Sequence, residues 1–329
     1  MSTRPFASRR RLALALLAAL GSTAARAQTG AWPAARSITW VVPFPPGGSN
    51  DVAARLLSEP LRERLGQSVV VDNRPGANGS LGAQAVLRAP ADGYTWLVAS
   101  DSVALWPVIR PDPGWDLLTS FRLVTVLALQ PVVMVTSPAT GLRTLEDLRA
   151  RARSTGKAQT FASSGQGSVQ HLVGELAAQE LGIDLMHVPY KGGGQAVTDV
   201  ISGQVTAGVL GAAAVMPHLR SGKLVALAQT TRTRSAMLAQ TPTLAELGAR
   251  SIDVAQWSAL FVPREVDEAT ARRMATAVRA SLAERTVQER LAANSMDVTQ
   301  VDPQQFAQQL AQERVRWGQL IKDRRLEVN

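Results

Sequence analysis

The residues whose types and spacing could do chemistry gather in three glycine-rich junctions, each lying between an apolar run and a helical stretch. In PFPPGGSND (Pro43 to Asp51), Pro45 and Pro46 stiffen the exit from the apolar run, Gly47 and Gly48 let backbone approach a ligand, and Ser49 can cap the helix that follows. Free backbone N–H groups at such a helix start favour an anion. Asp51, in the first helical turn, complements the helix dipole and would also suit a ligand ammonium or an ordered water. The second junction, SSGQGSVQH, supplies Ser164, Gly165, Gln166, Gly167, Ser168 and His171. The third, HVPYKGGGQA, sets Tyr190 and Lys191 before Gly192, where the ring can stack or hydrogen-bond and the lysine can add charge. Each feature also has a plainer account: a turn that needs glycine for its geometry, an aromatic covering core, a solvated lysine, a histidine that ties down a helix start.

Several chemistries are excluded by what these junctions lack. A phosphate-binding P-loop needs lysine followed by serine or threonine, whereas Lys157, Lys191 and Lys223 are followed by Ala158, Gly192 and Leu224. Gly165-Gln166-Gly167 has no third glycine for a dinucleotide site. The chain has no cysteine, and its three histidines, His171, His187 and His218, are not at ligand spacing, so neither a metal centre nor a cofactor is expected. An exported hydrolase is the competing reading, but G-x-S-x-G and H-E-x-x-H are missing, and Ser168 with His171 three residues on is weak support for a catalytic pair. No enzymatic activity is expected.

The junctions must be positioned by an α/β frame. Apolar runs at Ile38 to Phe44, Ser68 to Asn73 and Tyr94 to Ser100 alternate with helical stretches at Asn50 to Leu65 and Leu81 to Leu87, which predicts a parallel sheet covered by helices. A second set of strands is expected at Pro131 to Pro138, Ala158 to Ser164, Leu185 to Tyr190, Val205 to Gly211 and Leu224 to Thr230, with a further strand at Ser258 to Pro263. Its helices are expected after a Thr144/Asp147 capping box, over Val169 to Leu181, over Ala196 to Ser202 and around Val215 to Arg220. Toward the end, Met274, Val278 and Leu282 line one face, Thr286 with Glu289 reads as another capping box, and Asp302-Pro303 opens a last helix with Phe306, Leu310, Trp317 and Ile321 inward. The expected organisation is two α/β lobes: 28–130 in the first, 131–254 in the second, and 255–329 returning to the first. Crossing segments are expected near Leu129 to Val132 and Ala255 to Ser258. In such sheets ligands bind outside the carboxyl ends of the strands, so the first two junctions can face each other as a clamp.

The net charge of +9 suggests nucleic acid only until it is located. Five arginines and no acid fall in residues 1–27, which leaves about +4 on the other 302 residues and no footprint for nucleic acid. Residues 1–27 read as a secretory signal: a basic start ending SRRR, an apolar stretch from Leu12 to Leu20, and Ala25-Arg26-Ala27 as the cleavage site. Nine apolar residues are too few to span a bilayer, which takes about 20. The expectation is a periplasmic chain beginning at Gln28, acting as a monomer.

The combination of PFPPGGSND, DNRPGANGSLGA (Asp72 to Ala83), ADGYTWLVAS (Ala91 to Ser100), ASSGQGSVQHL (Ala162 to Leu172), HVPYKGG (His187 to Gly193), SGQV, SGKLVALA and TPTLAELG, in this order, resembles the Bug-type solute receptors of tripartite tricarboxylate transporters. The resemblance implies a two-lobed type II periplasmic binding protein fold, with a cleft that closes on a small organic acid for delivery to a membrane permease. It implies that carboxylate oxygens are held by backbone amides from the loops Gly47 to Asp51 and Ser164 to Ser168. The candidate set then extends to Phe44, Ser100, Asp101, Gly211 and Ala212 at the neighbouring strand ends. Two departures from the family pattern, Gly211-Ala212-Ala213-Ala214 and Trp106, imply a more apolar far end and hence an aromatic or alkyl carboxylate. An orphan receptor that signals to a kinase is the alternative output.

Overall fold

The computed structural model describes residues 32–110, 114–299 and 301–326, so the expected leader and its cleavage site lie outside the described residues. No described helix is long and apolar enough to cross a membrane.

Strands rich in Val, Leu and Trp are buried on both faces and need cover on both. In the first set, β1 (Ile38–Val42) pairs in parallel with β2 (Val69–Asn73) on one side and β3 (Thr95–Ala99) on the other. The connections are α1 (Ser49–Leu65) and α2 (Ser80–Leu87), and Trp40 and Trp96, in register across β1 and β3, are fully buried. Three short helices follow, α3 (Asp101–Ala104), α4 (Trp106–Ile109) and α5 (Leu117–Ser120), and then β4 (Phe121–Thr136). After α6 (Leu145–Thr155), the second set contains β5 (Gln159–Ser163), α7 (Val169–Leu181), β6 (Leu185–Pro189), α8 (Gly193–Ile201), β7 (Ala207–Gly211), α9 (Ala212–Arg220) and β8 (Val225–Gln229). Here β5 lies parallel to β6 and β7. The chain ends with β9 (Ala255–Pro263), α10 (Glu268–Leu282), α11 (Arg285–Ala292) and α12 (Pro303–Asp323).

The two sheets are joined by β4, which is twice the length expected. From Phe121↔Pro263 to Pro131↔Ala255 it runs antiparallel to β9 in the first sheet, and from Val132 to Thr136 it pairs with β7 and β8 in the second. The strand order is β2-β1-β3-β9-β4-β7-β5-β6, with β8 also on β4. The change of partner falls at Pro131, which has no N–H to leave unpaired. Thr230 stitches the crossing: its Oγ accepts from Val132 N at 2.9 Å and donates to the Val254 carbonyl at 2.6 Å.

Local signals set most helix starts. The Thr144/Asp147 capping box forms in both directions, Ser168 Oγ accepts from His171 N at the start of α7, and Asp302 caps α12. Two expectations are corrected. Ser49 is the first residue of α1 rather than its cap, because Gly48 already holds the extended N-cap geometry. Thr286 lies inside the first turn of α11, where Glu284 is the N-cap, so no capping box forms with Glu289.

The first sheet has one core and the second has two, one on each side, and the C-terminal segment from α12 onward touches the first core and one of the second sheet's. Phe306 and Leu310 pack with the first, as do Met274, Val278 and Leu282 of α10, whereas Trp317 and Leu326 pack with the latter beside Leu172 and Leu176. The last helix therefore does not simply return to the first lobe. At about 1.5 Å per residue its 21 residues are long enough to strap the two.

Candidate functional site

A small polar cavity lies between the sheets. From the first lobe it is walled by Phe44, Gly48, Ser49, Asn50, Ser100, Ser102 and Gln256, and from the second by Ser164, Gln170, Gly193, Gly211 and Ala214. Four helices start against it: α1 at Ser49, α7 just before Gln170, α8 at Gly193 and α9 just after Gly211. Each start carries amides with no partner inside its helix and the positive end of the helix dipole. Among the described residues no acidic one is in the wall. Ser100 Oγ and Gln170 Oε1 are buried there without a hydrogen-bond partner, in side chains only 1% and 2% exposed. An orphaned buried polar group costs about 1–3 kcal/mol, so two in one cavity mark a place built for a polar guest. A wider exterior groove runs between β4, α10 and the start of α12, and the two long helices that begin there, α10 and α12, are capped by Asp267 and Asp302.

Beyond Phe44 and Ser164 the cleft opens into an outer chamber of about 300 Å³, lined by Asn78, Trp106, Arg110, Gly165, Gln166, Tyr190 and Lys191 among others. Of the candidates read from the sequence, Phe44, Gly48, Ser49, Ser100, Ser164 and Gly211 lie on the inner cavity, and Gly165, Gln166, Tyr190 and Lys191 on the outer chamber.

The remaining candidates lie off both walls, each for a visible reason. Asp51 is buried with its carboxylate taken up by Gly47 N at 3.0 Å, Arg55 at 2.9 Å and Asn73 Nδ2 at 3.0 Å, so it shapes the loop and has no place for an ammonium. Pro46, Gly47 and Gly192 form the contact between the first and third junctions. A Cβ on Gly192 would come within 2.4 Å of Pro45, and one on Gly167 within 2.5 Å of Ile109. Ser168 caps α7, and Ala212 is wholly buried in the core. His171 accepts from Gly167 N at 3.1 Å, and burial pushes its pKa down to about 4. Asp101 is off both walls, beside Trp257, Glu313 and Trp317, and burial raises its pKa to about 8.

Of the departures read as an apolar far end, Trp106 lines the outer chamber and Gly211 and Ala214 the inner cavity, whereas Ala212 lies in the core; the chamber also holds Arg110 and Lys191. Sequence reasoning missed Asn50, Ser102, Gln170, Gly193, Ala214 and Gln256. Gln170 and Asn50 had a usable signal, since each sits one residue inside a helix start already singled out. Gln256 had none: it arrives from β9, where it accepts from Gln130 Nε2 at 3.3 Å across the strand pair that crosses between the lobes.

Residues 53–326 match the family described as tripartite tricarboxylate transporter family receptor, TctC. The chain belongs to this family. It is 35% identical over 312 residues to protein BugT of Bordetella pertussis, covering 94% of this chain and 95% of that protein. Among solved structures it resembles the periplasmic binding protein BugD, at a TM-score of 0.84 and 28% identity, covering 89% of this chain and 99% of that one. It also resembles R. palustris Rpa4515 with adipate, at 0.82 and 31%, covering 89% and 98%. The fold is that of the two-lobed type II periplasmic binding proteins. In this TctC receptor the inner cavity lies at the carboxyl ends of β1 and β5, where the rule for open α/β sheets puts ligands.

Proposed function

We propose that the protein is a periplasmic receptor that captures a small organic carboxylate between its lobes and presents it to the membrane permease of a tripartite transporter. The observation that carries this reading is the convergence of four helix starts on a cavity with two orphaned polar side chains and, among the described residues, no acid in its wall. Such a site favours a compact anion with oxygen acceptors and hydroxyl or amide donors, and a carboxylate matches the family and the adipate held by Rpa4515.

Capture proceeds by hinge closure. The inner cavity leaves room for about one water, so a ligand enters only when the lobes part. The crossing at Pro131 and Ala255, stitched by Thr230, is the axis about which residues 131–254 move against the rest. Closure is favoured by a ligand because only the closed form makes both sets of contacts.

Thermal unfolding of the ligand-stripped protein against a panel of carboxylates, with the matching amides as controls, tests the reading. At 100 times its dissociation constant a true ligand stabilises by about 2.7 kcal/mol. A shift with an acid and none with its amide is the expected result; equal shifts, or none across the panel, would overturn it.

A further inference from the structure

A buried acid stands directly behind the wall of the inner cavity. Asp101 is only 5% exposed, its Oδ1 accepts from Ser102 N at 2.8 Å, and its Oδ2 is buried without a hydrogen-bond partner among the described residues. Ser102 and Gln256 are both wall residues, and the Gln256 side chain acts on the Asp101 carboxyl from β9. A chain of hydrogen bonds along the crossing fixes which end of that amide is free. Ala213 N, at the start of α9, donates to Gln130 Oε1 at 2.8 Å, which leaves Gln130 Nε2 to donate to Gln256 Oε1 at 3.3 Å. Gln256 therefore keeps its Nε2, a donor, for whatever acceptor Asp101 or the cavity offers.

We propose that capture is linked to a proton: the inner cavity holds its anion tightly only while Asp101 is protonated. This rests on the capture of a carboxylate in the inner cavity and adds the state in which the wall must be. An ionised Asp101 sets a second negative charge behind Ser102 and Gln256, in surroundings that screen it poorly, and draws the Gln256 amide to itself. A protonated Asp101 is neutral and leaves that amide to the guest. Against Asp101, β9 packs the uncharged Gln256 and Trp257. The charged groups of α12 there are Glu313, which repels it, Arg314, which is paired with Asp116, and Arg316, which acts on Glu313. Burial, as the largest cause, raises the Asp101 pKa to about 8, so the neutral form prevails at neutral pH and is lost in the alkaline range. His171 and His187, pushed down to about 4 and about 3, and Tyr190, pushed up to about 12, do not titrate in that range. A site competent in one form alone binds in proportion to the population of that form, so the apparent Kd rises as the proton leaves.

The test is calorimetric titration of the mature chain, Asp101→Asn and Glu313→Gln with adipate, malate and benzoate between pH 6.5 and pH 9. Buffers of different ionisation heat count the protons taken up on binding, and unliganded melting curves check the fold of each variant. The wild type is expected to bind with nearly constant affinity up to about pH 7 and about ten-fold more weakly at pH 9, taking up close to one proton per ligand there and almost none at pH 6.5. Asp101→Asn, which cannot ionise, is expected to show neither the alkaline weakening nor the uptake. Glu313→Gln removes a repelling charge, so Asp101 ionises sooner and the weakening is expected to begin at lower pH. A purely structural Asp101 would instead change affinity by the same factor at every pH. A flat wild-type profile overturns the linkage while leaving carboxylate capture intact, and so does the same weakening and uptake in Asp101→Asn. If no acid binds even at pH 6.5, carboxylate capture itself fails and the linkage with it.

Discussion

The imidazole rings of His171 and His187 lie stacked, 3.8 Å between centroids and 19° from parallel, behind the loop that faces the cleft. Ser163 Oγ lies 2.7 Å from His187 Nε2, Gln166 Oε1 lies 3.1 Å from His187 Nδ1, and Gly167 N donates to His171 Nδ1. The pair therefore props the second junction, and it does so uncharged. Burial holds His171 at about 4, while burial and then the neighbouring His171 hold His187 at about 3. An unfolded histidine takes its proton near 6.5, so the unfolded state binds protons first as pH falls. The contribution of the pair is fully present above about pH 6.5 and is lost as pH drops toward 4. The expected outcome is a melting temperature that declines through this window, and a shallower decline in His187→Phe, which keeps a ring beside His171 without the titration. Scanning calorimetry at closely spaced pH values reads both; the same slope in the variant would remove His187 from the account.

Asp101 is a buried acid with one oxygen bound to Ser102 N at 2.8 Å and the other without a partner. Burial raises its pKa to about 8, with Glu313 adding repulsion. Glu313 is itself pushed up by burial, opposed by Arg316. Between the unfolded carboxylate range and pH 8 the folded state holds a proton that the unfolded state has given up, so this group destabilises progressively as pH rises to 8. Asp101→Asn, which keeps the shape and the acceptor oxygen, is expected to be more stable than the wild type by roughly 1–3 kcal/mol at pH 8, with the gain shrinking toward pH 4. Denaturant titrations at pH 5 and pH 8 measure it; a gain that does not grow with pH contradicts the buried-proton account.

What could be read in the chain depended on how far apart the interacting residues are. Thr144 and Asp147, Ser168 and His171, and Asp302 with Gln304 act over a few residues, and their chemistry was visible in place. The β1 and β3 runs were legible because burial on both faces leaves them almost wholly apolar. The first ten residues of β4 were not, since Arg122 and Thr125 interrupt the run and the strand exists only because β9 pairs with it from over a hundred residues away. Asp51 was read correctly as a first-turn carboxylate, but its partner Asn73 comes from β2 and could not be seen from the loop alone. The polar atoms that single out the cavity, Ser100 Oγ and Gln170 Oε1, become informative only when folding buries them in one wall without partners.

Those two atoms should separate stability from affinity. In the unliganded protein each is an unmet polar group, so Ser100→Ala and Gln170→Leu remove a burial penalty and are expected to leave stability within about 1 kcal/mol of the wild type or to raise it. In the complex each loses a hydrogen bond to a charged guest, which is worth about 1.5–3 kcal/mol, or roughly ten- to a hundred-fold in Kd. Melting curves without ligand and titrations with the best acid give the two numbers side by side. Loss of stability in step with affinity would show that the side chains serve the fold rather than the ligand.

Gly194, in the first turn of α8, tests closure itself. In the structure a Cβ at this position would lie 2.4 Å from the Pro46 carbonyl oxygen, across the junction between the lobes and against rigid backbone. Within its own helix alanine is preferred to glycine by about 0.5–1 kcal/mol. Gly194→Ala is therefore expected to fold at least as stably as the wild type but to resist the closed form, binding ligand about ten-fold or more weakly, since even 1.4 kcal/mol of strain on closing costs that factor. Small-angle scattering should show the wild type contracting on ligand addition and the variant contracting less. Gly318→Ala is the control, because its added Cβ would meet only Val108 Cγ1 at an ordinary 3.6 Å within α12. Wild-type affinity in both variants would show that the lobes need not approach this closely to hold the ligand, and the closed contact at Pro46 would then be incidental to capture.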